Sequence, residues 1–337
     1  MAEDTDGMTS IPGVPTTVLV APDSFKGTLS AAEVAQAIGR GLEAAGRPVD
    51  LCPVADGGEG TLEALLPAID GELRTIMVSD PLDRPIEASF ALGDAVAVVE
   101  TAAASGLGLV DPSERDAVAA STFGTGQLIA AAIERGAEVV YLGVGGSATT
   151  DGGAGAIRAI RDSGGLGGAR IVVLTDVRTP FEHAARVFGP QKGADEATVS
   201  RLTRRLNDQA RRMKRDPRGV PMTGAAGGLS GGLWAEFGAE LVPGAQFVLD
   251  AVDFDRRMRA ARAVVTGEGK LDQQSLAGKL VSEISTRARQ AGVPCHAIVG
   301  TRELDSFGVR VLDLQAVFEA STTRQISAAA RRLAGLI

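Results

Sequence analysis

The sequence predicts an α/β protein built from two domains. Apolar, β-rich stretches end repeatedly in Gly-rich loops that lead into helical patterns, which is typical of domains with largely parallel sheets. The 337 residues are long for one hydrophobic core, since chains tend to split into separate domains beyond about 250 to 300 residues. Because only 4% of residues are aromatic within a 45% hydrophobic fraction, we expect cores of Val, Leu, Ile and Ala.

Two strand–loop–helix units are predicted at the start of the chain. The first has a strand at 17–21 (TVLVA) and a helix at 30–42, where Ser30 and Glu33 are placed to form a capping box. The second unit has a strand at 50–54, a loop at 55–60 and a helix at 61–66. Strands connected in this way usually lie parallel in one sheet.

The middle of the chain has shorter strands separated by turn signals such as Asp80-Pro81, which indicates a mixed or antiparallel sheet. The elements predicted there are strands at 73–78, 86–92 and 95–99, a helix at 123–135, strands at 139–144 and 171–174, and a basic helix between 201 and 218. The strand–helix rhythm then returns, with strands at 263–266 and 295–299 and helices near 276–290 and 323–336.

This return near the C-terminus predicts that both chain ends build one domain. We assign residues 17–78 and 262–337 to an outer domain with a parallel sheet, and residues 79–261 to an inserted α/β domain with a mixed sheet. Two consecutive domains are the alternative, which periodicity alone does not distinguish. Residues 1–16 are polar, acidic and interrupted by Gly and Pro, so we expect a flexible tail.

The composition argues against several classes of function. A formal net charge of −8 disfavours nucleic acid as a partner, because binding its phosphates needs clustered positive charge. No apolar run approaches the roughly 20 residues that span a bilayer, and the N-terminus lacks an export signal, so we expect a cytoplasmic protein without membrane contact. Cys52 and Cys295 lie in apolar stretches, as expected for buried, reduced thiols. With only His183 and His296, neither a zinc site nor a His-dependent hydrolase is indicated.

One segment departs from the acidic average. Residues 201–218 contain eight Arg or Lys against two Asp, and their apolar residues recur at helical spacing on the other face. We interpret this segment as an amphipathic surface helix with a solvated basic side. The alternative is a lid, or an attractive field near an anionic substrate.

Three Gly-rich loops follow predicted strands. The loop at 55–61 (ADGGEGT) enters a helix, so its backbone N–H groups favour an anion. Asp56 and Glu59 would repel a phosphate there unless a cation intervenes, and they are suited to hold Mg²⁺ or to accept hydrogen bonds from substrate hydroxyls. A tight structural turn is the alternative interpretation.

The loop at 143–155 (GVGGSATTDGGAG) combines small residues, three hydroxyls and Asp151. It is not a Walker A loop, because no Lys-Ser or Lys-Thr pair follows the last glycine. Close approach of a ligand to the backbone and helix packing through small residues are both open. The loop at 266–275 (TGEGKLDQQS) brings glycines, two acids and Lys270 together, with Lys279 shortly after.

Two further lysines, Lys26 and Lys192, lie in short Gly-containing segments. Phosphoryl transfer needs this mixture of groups: lysines and backbone amides neutralise phosphate oxygens, carboxylates hold Mg²⁺, and an acid accepts the proton of the acceptor hydroxyl. Each lysine taken alone is more often a solvated surface residue.

In their order, these segments resemble the glycerate kinase family of the bacterial glyoxylate and galactarate pathways, from about residue 18 to 320. The motifs that carry the resemblance are 21–27 (APDSFKG), 56–61 (DGGEGT), 102–107 (AAASGL), 145–149 (GGSAT) with 151–153 (DGG), 188–194 (FGPQKGA), 224–228 (GAAGG) and 267–272 (GEGKLD). The resemblance implies a flavodoxin-like domain from both termini, an inserted domain likened to restriction endonucleases, and a site in the cleft between them. It also implies ATP and Mg²⁺ as cofactors and D-glycerate as substrate, with 2-phosphoglycerate favoured over 3-phosphoglycerate as product.

The resemblance also implies roles for residues of the cleft. The catalytic candidates are Asp176, Asp151, Lys26 and Lys192. The substrate-binding candidates are Asp23, Ser24, Gly57, Gly58, Ser147 and Arg178. The nucleotide-binding candidates are Gly267, Gly269, Lys270 and Ser275, and the metal-binding candidates are Asp56, Glu59, Glu268 and Asp272. We favour Asp176 as the base, with Asp151 as its rival.

The sequence departs from the family pattern in two places. The segment between 155 and 172 is shorter, and the loop at 175–181 (TDVRTPF) has Arg178 and Thr179 where the family has Asn and Pro. Arg178 could itself pair with a carboxylate. The alternatives are therefore a kinase for another small hydroxy acid and a non-catalytic sensor of hydroxy acids. A homodimer is compatible with the sequence, which does not determine the oligomeric state.

Overall fold

The computed structural model describes residues 16–337, so the predicted tail lies, except for residue 16, outside the described residues. The strands are β1 (Val18–Pro22), β2 (Val49–Leu51), β3 (Glu72–Ser79), β4 (Pro85–Leu92), β5 (Val96–Glu100), β6 (Val139–Gly143), β7 (Arg170–Leu174), β8 (Glu240–Val242), β9 (Ala263–Gly267), β10 (Lys270–Leu271), β11 (Cys295–Val299), β12 (Thr301–Arg302) and β13 (Leu314–Glu319). The helices are α1 (Ala31–Glu43), α2 (Thr61–Leu65), α3 (Thr101–Ser105), α4 (Phe123–Glu134), α5 (Ala154–Asp162), α6 (Ala184–Phe188), α7 (Glu196–Ala210), α8 (Leu229–Phe237), α9 (Gly244–Ala251), α10 (Phe254–Arg259), α11 (Leu280–Ala291), α12 (Ser306–Val311) and α13 (Thr323–Leu333).

Both chain ends contribute to a five-stranded sheet with the order β13-β11-β9-β1-β2. All its strands are parallel, and β1 lies between β2 and β9 with Val18 opposite Val49 on one side and Ala263 on the other. Counted along the chain within this sheet, the order is 2-1-3-4-5, which is the flavodoxin-like arrangement. The strand order reverses at β1 and β9, because β2 is added on one side of β1 and the later strands on the other. Ligands of such sheets bind at the carboxyl ends of the strands at this point.

The middle of the chain forms a six-stranded mixed sheet in the order β3-β4-β5-β6-β7-β8. The β3–β4 and β4–β5 pairs are antiparallel and the others are parallel. The predicted fold class, α/β with a parallel sheet and a separate mixed sheet, is confirmed. The domain bounds stay a prediction, with one correction: residues 72–78, assigned to the outer domain, form β3 and pair along their whole length with β4. The Asp80-Pro81 turn, just after the predicted boundary between residues 78 and 79, lies in the hairpin connection between these strands.

Helices cover both faces of the five-stranded sheet. On one face α1 and α13 pack on Val18 and Val20, and Gly41 lets the two helices approach, since a Cβ there would lie 2.2 Å from the carbonyl oxygen of Ser327. On the other face α9, α10 and α11 join a core that also includes Leu174 of β7. The capping box of Ser30 and Glu33 at the start of α1 is confirmed.

Several element predictions need correction. The strand predicted at 50–54 ends at Leu51, just before Pro53, which has no N–H to donate. The basic helix is α7, which begins after the N-cap Asp195 and ends at Ala210, so residues 211–218 lie beyond it. The helix predicted near 276–290 begins at Leu280.

Both cysteines are buried and free, as predicted. No helix of the described part of the chain combines the length and the apolar character needed to span a bilayer.

Candidate active site

The carboxyl ends of β1 and β9, where the strand order reverses, place acidic side chains together. Asp23 and Ser24 follow β1, and Glu268 follows β9. Asp23 is held at the strand end because its N–H donates to the carbonyl oxygen of Gly267, over 2.8 Å. Both loops therefore open at one edge of the sheet.

A cavity of about 420 Å³ lies at this edge. Its polar lining includes four carboxylates and three lysines, namely Asp23, Asp56, Glu268, Asp272, Lys26, Lys270 and Lys279. Six of these seven side chains are site residues predicted from the sequence, and the structure brings them into one cavity. Lys279 is the addition.

Lys26 and Asp56 form the central ion pair of this cavity. Lys26 Nζ lies 3.1 Å from Asp56 Oδ2, which joins the loop after β1 to the loop after β2. Burial alone raises the pKa of Asp56, but the Lys26 ammonium outweighs burial and holds that pKa below its usual range. Burial, followed by the negative charge of Asp56, raises the pKa of Asp23 to about 8. Asp56 is thus the ionised member of the pair of carboxylates.

Glu268 is fixed by a neighbouring hydroxyl. Ser275 Oγ donates to Glu268 Oε1 over 2.6 Å, and the same Oγ accepts the N–H of Asp272 over 3.1 Å. Burial raises the pKa of Glu268 to about 7, although Ser275 and Lys279 act in the opposite direction. Lys270 pairs with Glu303 at 2.9 Å and with Asp272 at 3.8 Å.

A second cavity, of about 580 Å³, shares Ser24, Lys26 and Thr28 with the first. It is lined by Glu59 and by residues of the β3–β4 hairpin. Glu59 was predicted to bind a metal together with Asp56, Glu268 and Asp272, but the structure places it in this second cavity. Gly57 and Gly60, both with positive φ, turn the chain between Asp56 and the helix. Asp56 and Glu59 therefore line different cavities, although they are close in sequence.

The loop after β2 also contacts the second sheet. The N–H of Val144 donates to the carbonyl oxygen of Gly57 over 2.9 Å, and a Cβ on Gly145 would lie 2.5 Å from the Cα of Gly58. The two Gly-rich loops are therefore packed backbone to backbone. Gly57 and Gly58 act here as spacers, which is a structural role beside the substrate contact expected of them.

Asp176 approaches the same region from β7. Its carboxylate accepts the N–H of Ala245 at the start of α9, at 3.3 and 3.4 Å to the two oxygens. Burial raises the pKa of Asp176 to about 7, and the charge of Asp56 adds to this rise. Asp176 is therefore near Asp56 and poised to exchange a proton near neutral pH.

Lys192 and Ser147 form a separate group within the inserted segment. Lys192 is only 2% exposed, and its Nζ donates to Ser147 Oγ over 3.0 Å and to the carbonyl oxygen of Thr149 over 2.5 Å. Burial lowers the pKa of Lys192 to about 7, against the charge of Asp151, which raises it. Through these two hydrogen bonds, Lys192 anchors the loop at 145–149.

Asp151 is occupied by hydrogen bonds from the protein. Its Oδ2 accepts from the N–H and the hydroxyl of Thr122 and from the N–H of Gly155, and its Oδ1 accepts from the N–H of Gly153, all between 2.8 and 3.0 Å. The side chain is 3% exposed. This carboxylate fixes the start of α5 to the start of α4.

Known proteins share this architecture. A sequence model of the glycerate kinase family matches residues 18–162 and 161–334. The chain is 39% identical over 324 residues to glycerate kinase from Halalkalibacterium halodurans, covering 85% of each chain. It is 37% identical over 345 residues to glycerate 2-kinase from Escherichia coli, covering 91% of each.

The chain belongs to the glycerate kinase family. The crystal structure of a candidate glycerate kinase 2 from Salmonella typhimurium LT2 is similar, with a TM-score of 0.79 at 32% identity over 96% of this chain and 98% of that one. The predicted family and the prediction of a kinase are thereby confirmed.

The donor set of this glycerate kinase family member fits Mg²⁺ bound together with a substrate. Within residues 16–337, no three His, Cys, Asp or Glu side chains form a ready metal site. Mg²⁺ commonly takes only one or two protein carboxylates and completes its shell with water and phosphate oxygens. Asp56, Glu268 and Asp272 line one cavity and suit that pattern. Glu59 lines the second cavity instead, so its role as a metal ligand stays a prediction that this cavity does not support.

Two residues of this family member differ from the expected site: Arg178, which was expected to bind substrate, and Glu100, which was not among the candidates. Arg178 is exposed and lines neither cavity. Glu100, which was not predicted, accepts the N–H of Leu62 over 2.8 Å, and burial raises its pKa to about 7. Its position at the end of β5, directly before α3, was the available signal.

Proposed function

We propose that this protein transfers the γ-phosphoryl group of ATP to the 2-hydroxyl of D-glycerate, with Mg²⁺, in the cleft where the loops after β1, β2, β7 and β9 meet. The observation that carries the proposal is the Lys26–Asp56 ion pair at the strand reversal, with Asp176 near it and Glu268 in the same cavity. Phosphoryl transfer needs this combination of cation, metal-binding carboxylates and base. The names of the relatives support glycerate as the acceptor, and the Escherichia coli name supports the 2-hydroxyl.

Lys26 binds an anionic oxygen of a substrate once the ligand competes for its contact with Asp56. Because Lys26 lines both cavities, it lies where a donor in one and an acceptor in the other would meet. Asp56, Glu268 and Asp272 would hold Mg²⁺. When bound, that ion neutralises charge on the transferring phosphoryl group. Gly269 and Lys270 line the first cavity and stay the proposed nucleotide contacts after β9. The other two nucleotide-binding candidates, Gly267 and Ser275, are buried outside the cavity lining, and Ser275 positions Glu268 instead.

Asp176 is the proposed base, and Asp151 is disfavoured. A base must reach the hydroxyl proton and be partly ionised at working pH. Burial raises the pKa of Asp176 to about 7, and within the described residues its carboxylate accepts hydrogen bonds only from backbone N–H groups at the start of α9. Both oxygens of Asp151, in contrast, are occupied by four protein donors. Lys192 positions Ser147 and its loop in this scheme.

The test is ADP release by the purified protein with Mg-ATP, with and without D-glycerate, followed by phosphorus NMR of the product. Glycerate-dependent turnover with a 2-phosphoglycerate signal supports the whole proposal. A 3-phosphoglycerate signal would support the kinase reaction but contradict transfer to the 2-hydroxyl. Turnover with glycolate, lactate or L-glycerate in place of D-glycerate would support the alternative acceptor, another small hydroxy acid. The non-catalytic sensor is set aside, because the family is one of enzymes.

The cytoplasmic location, the lack of a nucleic acid partner and the homodimer stay predictions. Light scattering coupled to gel filtration decides the last of them, since a monomer and a dimer of this 34.5 kDa chain differ twofold in mass.

A further inference from the structure

Lys279 differs from the other two lysines of the 420 Å³ cavity. Lys26 is ion-paired with Asp56, and Lys270 is ion-paired with Glu303. Lys279 forms no ion pair within 4 Å among residues 16–337, and its Nζ donates instead to the amide oxygen of Gln274 over 2.9 Å. It therefore offers ammonium hydrogens that no carboxylate of the described chain occupies.

The charge of Lys279 reaches the carboxylates of the proposed magnesium set. Burial is the largest influence on the pKa of Asp56 and of Glu268 and acts to raise both, and the charge of Lys279 is among the smaller influences that act to lower them. The ammonium is thus close to both strand ends, after β2 and after β9. Lys279 lines the same cavity as these carboxylates, so a polyphosphate bound there with Mg²⁺ would share that cavity with its ammonium group.

The position of Lys279 in the chain favours an anion as well. It is the N-cap residue of α11, a helix of 12 residues, and its side chain gives that helix no capping hydrogen bond. The positive end of the helix dipole and the ammonium consequently act in the same direction on a ligand in the cavity.

We propose that Lys279 is a nucleotide-binding residue that contacts a phosphate group of Mg-ATP. The inference rests on the proposed function for the identity of the nucleotide. Glycerate is the weaker candidate ligand, because the proposed base Asp176 does not line this cavity, whereas Glu268 and Asp272 do. Without Lys279, both remaining lysines of the cavity would already be ion-paired, so the cavity would offer a polyphosphate less positive charge.

The experiment is isothermal titration calorimetry of the full chain with three probes: a Mg-bound non-hydrolysable ATP analogue, Mg-tripolyphosphate and adenosine. Lys279→Met should weaken binding of both phosphate-bearing probes by about 10- to 100-fold, the usual range for one charge-assisted hydrogen bond. Adenosine should bind equally to both proteins. Lys279→Arg should restore most of the affinity, because it keeps the charge.

Arg289→Met is the matched control, since it removes one positive charge from the exposed far end of the same helix. It should leave binding of all probes unchanged, and thermal melting should show that each variant is folded. Should Lys279→Met destabilise the protein, Lys279→Gln keeps the test, because it retains a polar chain of similar length.

The inference is overturned if Lys279→Met binds the ATP analogue as tightly as the wild type. It is also overturned if steady-state kinetics of Lys279→Met show a higher KM for D-glycerate and an unchanged KM for Mg-ATP. It is also overturned if the wild type binds neither phosphate probe. If the wild type binds the analogue but does not phosphorylate D-glycerate, only the proposed function is contradicted. The comparison of variants would still decide the role of Lys279.

Discussion

Gly57 faces the carbonyl oxygen of Leu174 so closely that a Cβ on Gly57 would lie 2.6 Å from it. Gly57 follows β2 of the parallel sheet and Leu174 ends β7 of the mixed sheet. The two sheets therefore meet through bare backbone at the point where Asp56 and Asp176 are presented. The φ of Gly57, +86°, is also one that residues with a Cβ rarely adopt.

Replacement of Gly57 by Ala should destabilise the protein by about 2–4 kcal/mol and reduce kcat, because the methyl group would push the two sheets apart. Urea unfolding and steady-state kinetics measure the two effects. Gly46→Ala is the control: Gly46 has a φ of +76°, but no atom of residues 16–337 lies within 4 Å of its would-be Cβ, so only the backbone cost of about 1 kcal/mol applies. Equal losses in the two variants would mean that the contact with Leu174 is unimportant.

Asp176→Asn should lower kcat by about 10²- to 10⁴-fold with a modest change in KM, as expected on removal of a general base. Because the pKa of Asp176 is raised to about 7, the wild type should lose kcat/KM for glycerate as pH falls below 7 and reach a plateau above it. The residual kcat/KM of Asp176→Asn should lack this fall below pH 7. A wild-type profile that is flat from pH 5 to 8 would contradict the assignment.

Asp151→Asn should behave differently from Asp176→Asn. The amide keeps one oxygen but turns an N–H₂ toward donors, so we expect a loss of about 2–4 kcal/mol in the free energy of unfolding. The folded fraction should keep most of its kcat. A native melting temperature combined with a drop in kcat of about 10²-fold or more would instead identify Asp151 as the base.

Lys192→Met should change how stability depends on pH. The folded pKa of Lys192 is lowered to about 7 and the unfolded value is near 10.5, so between these values the unfolded chain binds more protons. Wild-type stability relative to Lys192→Met should therefore rise by about 1 kcal/mol per pH unit from pH 7 to 9. Denaturant unfolding at pH 7, 8 and 9 measures the difference, and a constant difference would show that Lys192 stays charged in the folded protein.

The grouping of Asp23, Lys26, Asp56 and Glu268 could be predicted, because residues that follow parallel strands emerge at the same sheet edge. The direction of Glu59 could not, since it depends on the positive φ of two glycines rather than on spacing. β13 was missed because this edge strand is half-exposed and lacks a clear apolar run. The burial of Lys192 had no local signal, since the loop that it supports lies more than 40 residues away.

The position of β1 inside the parallel sheet also governs when this protein can fold. Its partner β9 is made late: the hydroxyl of Thr266 bonds the carbonyl oxygen of Ala21 across 245 residues. At a synthesis rate of about 5–20 residues per second, one edge of β1 waits tens of seconds for that partner on the ribosome. The mixed sheet lies wholly within the intervening segment and can form in that interval. Until β9 is synthesised, the nascent chain therefore carries an unpaired, apolar strand edge, and such edges are prone to pair with other chains.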